Sequence, residues 1–417
     1  MKKVFALLLA GALAGSSAAA AWADGSGLDT SGFDMDYYTR FQGQGMEVNV
    51  YNWGEYISDG TDGALDVNAE FEKLTGIKVN YSNFDTNEAL YAKIKSGASS
   101  YDVIFPSEFM VSRMIQEDLL QPLNHQNIPN LRHIDPQFIQ REYDPGCVYS
   151  VPYTWGIVGI IYNKTMVNTP ADTWDILWDP AYSGQILMMN NPSDAFGISL
   201  LRLGYSLNST DPQQRREAAD ALKEQKPLVQ AYVMDQIFDK MQGGEAALAP
   251  YYVGDFFTMQ AVNPDLDFAI PKEGTNSFVD AVCIPKNAKN VQAAELYINF
   301  LNEPEIAAAN SSYIGYSTPN AAARELLPDE IRNNPLRYPT PEIMENTTGF
   351  LALPEETNKL TDELWVGIFN SDSAVSVWAA PALILAACAA AVAAQVLKKR
   401  RRLREEAEYS ADELQNF

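Results

Sequence analysis

The chain has 417 residues, 54 Asp and Glu against 30 Lys and Arg, and a formal net charge of −24. That length exceeds one small core, and 47% hydrophobic residues are enough to fill the interiors of two domains. So acidic a surface repels nucleic acid and draws in cations, while three cysteines and two histidines exclude a disulfide framework and a histidine-rich zinc or nickel site.

Residues 1–23 set Lys2 and Lys3 before an apolar stretch and end on Ala21-Trp22-Ala23, the pattern of a secretory signal peptide. No cysteine stands near the cleavage point to carry a lipid. Residues 24–45 are rich in Gly, Asp and Ser without a sustained period, so a flexible leader is expected there. Regular patterning begins at 47–53 (EVNVYNW), which alternates like a strand. Val67, Phe71 and Leu74 follow at helical spacing, and Gly76 ends that helix. Residues 77–81 read as a second strand, Leu90 and Ile94 mark a second helix, and 102–105 (DVIF) form a third strand. Val111, Met114 and Ile115 then mark a third helix. Such alternation with short turns predicts an α/β layer with a largely parallel sheet.

Residues 149–162 (YSVPYTWGIVGIIY) read as strands leading into a second region. Ala293, Leu296, Tyr297, Phe300 and Leu301 mark one face of an amphipathic helix over 292–302. An acidic helix is expected over 353–364, with 366–373 as a link. Residues 373–397 carry no charge and are followed at once by Lys398-Lys399-Arg400-Arg401-Arg402. A run of that length crosses a bilayer, and the basic cluster sets the following tail in the cytoplasm. The expectation is a transmembrane helix at 374–397 and a cytoplasmic tail at 398–417. The leader removes two lysines and the tail six basic against five acidic residues, which leaves the exported body at −27.

Catalytic signatures are missing. There is no G-x-x-x-x-G-K-S/T, H-E-x-x-H or C-x-x-C pattern and no G-x-S-x-G elbow. The sequence therefore favours a binding protein over an enzyme, with no cofactor expected. Cys388 lies in the uncharged run; a single bond between Cys147 and Cys283 stays open.

At Val50-Tyr51-Asn52-Trp53-Gly54-Glu55-Tyr56 the chain resembles the spermidine/putrescine-binding proteins of bacterial ABC importers. The likeness continues through 91–95 (YAKIK), 101–107 (YDVIFPS), 151–156 (VPYTWG), 203–212 (LGYSLNSTDP), 271–274 (PKEG), 288–290 (AKN) and 314–320 (IGYSTPN). These stretches occur in order from about residue 47 to about 340. The resemblance implies a two-lobed type II periplasmic-binding-protein fold whose lobes close on ligand about a hinge. Crossings near 151–153 and 279–284 would give one lobe of 46–152 with 279–322 and another of 153–278 with 323–370. It further implies a monomer that hands a polyamine to permease and ATPase subunits.

In that family the polyamine lies between aromatic rings with carboxylates at its amines. Trp53 and Tyr56 fall on the first-loop aromatic pair, and Ser107 on a hydrogen-bonding serine. Phe109 replaces a tyrosine, while Tyr252 and Phe278 replace two tryptophans. Asp280 matches a carboxylate that recognises a ligand amine. In the loop 190–194, Asp194 keeps one family carboxylate and Asn191 replaces another with a neutral amide. Glu108 and Asp255 stand where the family usually has uncharged residues, so either is a candidate to compensate. Trp155 and Tyr153 are expected to pack at the hinge.

Rival readings remain. Tyr251-Tyr252 would suit ferric iron in the same broad fold, with His125 or His133 as partner; a different small cationic solute is another. A surface protein that kept the fold without transport is the third.

Overall fold

The computed structural model describes residues 28–98 and 100–370. The segments expected at 1–23, 374–397 and 398–417 lie outside the described residues. Among those described, no helix is long and apolar enough to cross a membrane. Contacts divide the chain after Thr361; of the unit that begins at Asp362, residues 362–370 are described and helical, with the Trp365 and Phe369 rings 5.1 Å apart.

In the larger unit the alternation read from the sequence appears as β1 (Glu47–Trp53), β2 (Lys78–Phe84) and β3 (Val103–Ile104), with β1 parallel to both neighbours. Helices α1 (Met35–Thr39), α2 (Val67–Thr75), α3 (Asn87–Lys95) and α4 (Glu108–Gln116) precede, separate or follow them. Asp66 caps the start of α2, and Gly76, at φ 71°, ends it. That left-handed turn disfavours any residue with a Cβ.

A second parallel set follows: β5 (Ile186–Met189) lies between β6 (Val229–Val233) and β7 (Leu248–Tyr252). Two long antiparallel strands join the sets, β4 (Ser150–Asn163) and β9 (Thr275–Cys283). The order is β2-β1-β3-β9-β4-β7-β5-β6, with β8 (Leu266–Ala269) on β4 and β10 (Thr347–Thr348) on β9. The remaining helices the site depends on are α5 (Pro192–Arg202), α6 (Val253–Val262), α7 (Val291–Leu301) and α8 (Pro304–Ile314).

Four expectations need correction. The stretch expected at 149–162 is one fourteen-residue strand, β4 (Ser150–Asn163), rather than several. The leader over 24–45 is not flexible throughout: Tyr38 in α1 is fully buried and donates to Glu303 at 2.6 Å, because its ring fills space against Phe300. Helix α7 is buried all round from Ala293 to Leu301 rather than on one face; even Glu295 is inside, accepting from Asn127 at 2.7 Å. The helix expected over 353–364 is α9 (Glu355–Asn370), so its end takes up part of the expected link. Cys147 and Cys283 are both buried and free.

Candidate functional site

Parallel strands deliver side chains to the crevice beyond their carboxyl ends. Trp53 ends β1, Phe84 ends β2, Ser107 follows β3, Tyr252 ends β7, and Met234 with Asp235 follow β6. Between the two sets, β9 contributes Phe278 and Asp280. The result is a cavity walled by the rings of Trp53, Tyr56, Phe84, Tyr252, Phe278 and Tyr316. Four carboxylates reach it, Asp85, Asp235, Asp255 and Asp280, and no Lys or Arg is among its lining residues.

Asp280 is the most firmly held. Its Oδ1 accepts from Ser107 Oγ at 2.6 Å and its Oδ2 from Tyr56 OH at 2.6 Å. Asn87 fixes Ser107 in turn, donating from Nδ2 to Oγ at 3.0 Å and accepting from its backbone N–H. Burial pushes the Asp280 carboxyl up to about 6 against the pull of those two hydroxyls. A cation in the cavity would favour its charged form.

Asp255, in the first turn of α6, accepts from Tyr316 OH at 2.8 Å, and burial raises its carboxyl well above the usual range. Gly254 lets that ring approach: a Cβ there would stand 2.3 Å from the Tyr316 ring. Tyr316 packs edge-on against Tyr56, with centroids 4.8 Å apart. Trp53 is oriented by its Nε1, which donates to the Phe105 carbonyl at 2.7 Å. At the mouth, Asp235 lies over the backbone of Gly54, where a Cβ would meet its Oδ2 at 2.0 Å.

Thus Trp53, Tyr56, Tyr252, Asp255, Phe278 and Asp280 line one cavity, and Ser107 supports it from behind. Asp194 stands one hydrogen bond away, accepting from Tyr252 OH at 2.6 Å; burial pushes its carboxyl up to about 7. Asn191 turns its amide to local work, capping α5 with Oδ1 and donating to Asp194 at 2.8 Å. Glu108 and Phe109 are not brought into the cavity. Glu108 pairs with Arg141 at 3.2 Å, and Phe109 packs on Phe350; both begin α4 on a side turned from the lining. Glu108 therefore lies away from the cavity, whereas Asp255 is part of its lining. Tyr153 packs behind the wall and donates to the Tyr56 carbonyl at 2.8 Å. Trp155 packs on Phe138 and Tyr338.

Sequence reasoning missed Tyr316, Asp85 and Asp235. Tyr316 lay within the matched stretch 314–320 without a role, and Asp85 directly follows a parallel strand, where site residues collect. The geometry gives iron little. Tyr251 and Tyr252 are buried phenols raised well above their ordinary value. His125 is bonded to the Cys147 carbonyl, and neither histidine lines the cavity.

Residues 67–340 match the family model described as bacterial extracellular solute-binding protein. The spermidine/putrescine-binding periplasmic protein of Escherichia coli (strain K12) is 37% identical over 298 residues, 71% of this chain and 84% of its own length. The putrescine-binding periplasmic protein SpuD of Pseudomonas aeruginosa is 32% identical over 340 residues, covering 77% and 91%. Among solved structures, a putative spermidine/putrescine ABC transporter protein from Listeria monocytogenes is 40% identical with a TM-score of 0.74, covering 77% of this chain and 98% of that one. The likeness places the described body in the two-lobed α/β periplasmic-binding-protein architecture.

Proposed function

The chain belongs to the bacterial extracellular solute-binding protein family, and on that footing we propose that it captures a polyamine in the cavity between β9 and the strand ends and delivers it to an ABC importer. One observation carries the reading: Asp280, Asp255, Asp235 and Asp85 converge on an aromatic-walled cavity with no basic residue in its lining. A protonated amine over a ring gains about 0.5–2 kcal/mol, and a charge-assisted hydrogen bond about 1.5–3 kcal/mol. Two such carboxylates and two rings sum to about 4–10 kcal/mol, a range that brackets the roughly 8 kcal/mol of micromolar binding. Trp53, Tyr56, Tyr252 and Phe278 would cover the alkyl chain, and Asp280 and Asp255 would hold the amines. The names of the relatives support the ligand class, and the Listeria monocytogenes neighbour, named for an ABC transporter, supports the partner.

Anchoring belongs to the same proposal. The uncharged run 373–397 and the basic cluster after it support a membrane helix that tethers an extracytoplasmic body. Calorimetric titration of the purified chain with putrescine, cadaverine, spermidine and spermine, with arginine and Fe³⁺ as controls, tests the ligand class. Saturable binding of an amine at micromolar affinity or tighter is the expected result; binding of iron alone would overturn the proposal.

A further inference from the structure

Two hydroxyls hold the Asp280 carboxylate, and one of them is aimed by a residue that does not line the cavity. Ser107 stands at the N-cap position of α4, where a serine ordinarily turns its Oγ to accept from the first turn of the helix. Here it makes no such cap; Oγ is engaged with Asn87 and Asp280 instead. The backbone keeps the two strands of this contact together, with the Ala281 N–H donating to the Pro106 carbonyl at 3.0 Å. Asn87 fixes which way the hydroxyl points. Its Oδ1 accepts from the Ser107 backbone N–H at 3.0 Å. A backbone N–H only donates, so that bond settles the orientation of the amide and sets Nδ2 against Ser107 Oγ at 3.0 Å. An amide nitrogen donates and never accepts, and a serine hydroxyl has one hydrogen. Oγ therefore accepts from Asn87, and its hydrogen goes to Asp280 Oδ1 at 2.6 Å. Asn87 is buried at the first position of α3, and Thr86 caps that helix, so the Asn87 side chain is left for Ser107.

We propose that Asn87 is a positioning residue of the site: by donating to Ser107 Oγ it commits the serine's hydrogen to Asp280 and so keeps that carboxylate ready for an ammonium. The inference rests on the amine reading of the main cavity. Among the described residues, the ionisable groups that feel the charge of Asp280 are Tyr56 after β1, Glu108 on α4, Tyr153 on β4, Asp194 on α5 and Tyr252 on β7. All five are acids, so none brings a positive charge, and the pull toward the charged form comes from the Ser107 and Tyr56 hydroxyls. Without Asn87 the Ser107 hydroxyl is free to rotate away, and one of those two donors is no longer assured.

Calorimetry with putrescine between pH 5.5 and 8.5 tests this on the detergent-solubilised full chain, as wild type, Asn87→Ala, Asn87→Asp, Ser107→Ala and the Asn87→Ala, Ser107→Ala double variant. Losing an oriented donor makes Asp280 easier to protonate, so Asn87→Ala should move the affinity profile to higher pH. The expected loss is about fivefold at pH 6.0 and less than twofold at pH 8.0. In the Ser107→Ala background the same change should add less than twofold, since the two residues act through one hydrogen bond. Asn87→Asp alters one atom and keeps the acceptor for the Ser107 N–H, so it carries the test even if Asn87→Ala melts early. It sets an acceptor against Oγ and draws the hydrogen from Asp280, and putrescine should weaken by about fivefold or more at pH 8.0. The inference is overturned if Asn87→Ala weakens binding equally at every pH or not at all, if its effect multiplies with that of Ser107→Ala, or if Asn87→Asp binds as wild type does. Wild type that binds no amine at any pH overturns the amine reading beneath it, a result none of the variant outcomes can imitate.

Discussion

Lowering the pH should weaken amine binding well before it unfolds the protein. Asp280 titrates at about 6 in the empty cleft, because burial outweighs the Ser107 and Tyr56 hydroxyls. An ammonium needs that carboxylate charged. The ionised fraction falls from nearly all at pH 7.5 to about one in ten at pH 5.0, a loss of roughly tenfold in affinity from this group alone. Asp255, also raised by burial, adds to the loss in the same direction. Stability of the empty protein moves the opposite way. A carboxyl raised above its unfolded value binds more protons folded than unfolded, so its contribution to stability is greatest below the unfolded value near 3.8 and is lost as pH rises through about 6. The empty protein should therefore melt lower at pH 7.5 than at pH 5.5 as far as Asp280 is concerned, and bound amine should restore the difference. Calorimetry at pH 7.5, 6.5 and 5.0 in two buffers of different ionisation heat would give both the affinity and the protons released. An affinity constant within twofold over that window, with no proton release, would refute the reasoning.

Other perturbations separate binding from packing. Asp280→Asn should cost about 10- to 100-fold in amine affinity with the fold intact by circular dichroism, and should flatten the pH profile. Gly254→Ala drives a methyl into the Tyr316 ring; affinity should fall by tenfold or more, and an unchanged dissociation constant would deny Tyr316 its place in the wall. Ser193 Oγ donates to Glu88 at 2.8 Å, joining α5 to α3 across the cleft. Ser193→Ala, worth about 1 kcal/mol, should speed amine release a few-fold in stopped-flow fluorescence.

The strand–helix order was legible because core positions repeat at helical and strand periods, as Val67, Phe71 and Leu74 do along α2. Asp280 and the first-loop rings were legible from motif resemblance, since a local run fixes which side chain ends a strand. What could not be read was orientation over long separations. Glu108 follows Ser107 directly, yet one residue along a helix start turns its carboxyl to Arg141 rather than to the cavity. Asp235 and Asp85 belong to different strand ends that meet only when the sheet is assembled. Tyr38 in a polar leader gave no periodic signal, although together with Phe33 it docks that segment on Phe300.

The most direct test of the central claim is a crystal structure of the protein with putrescine bound. One ammonium is expected within hydrogen-bond distance of Asp280, the other at Asp255, and the methylene chain between the rings of Trp53, Tyr252 and Phe278. An amine seated away from Asp280, or a cleft that stays empty at saturating putrescine, would contradict it.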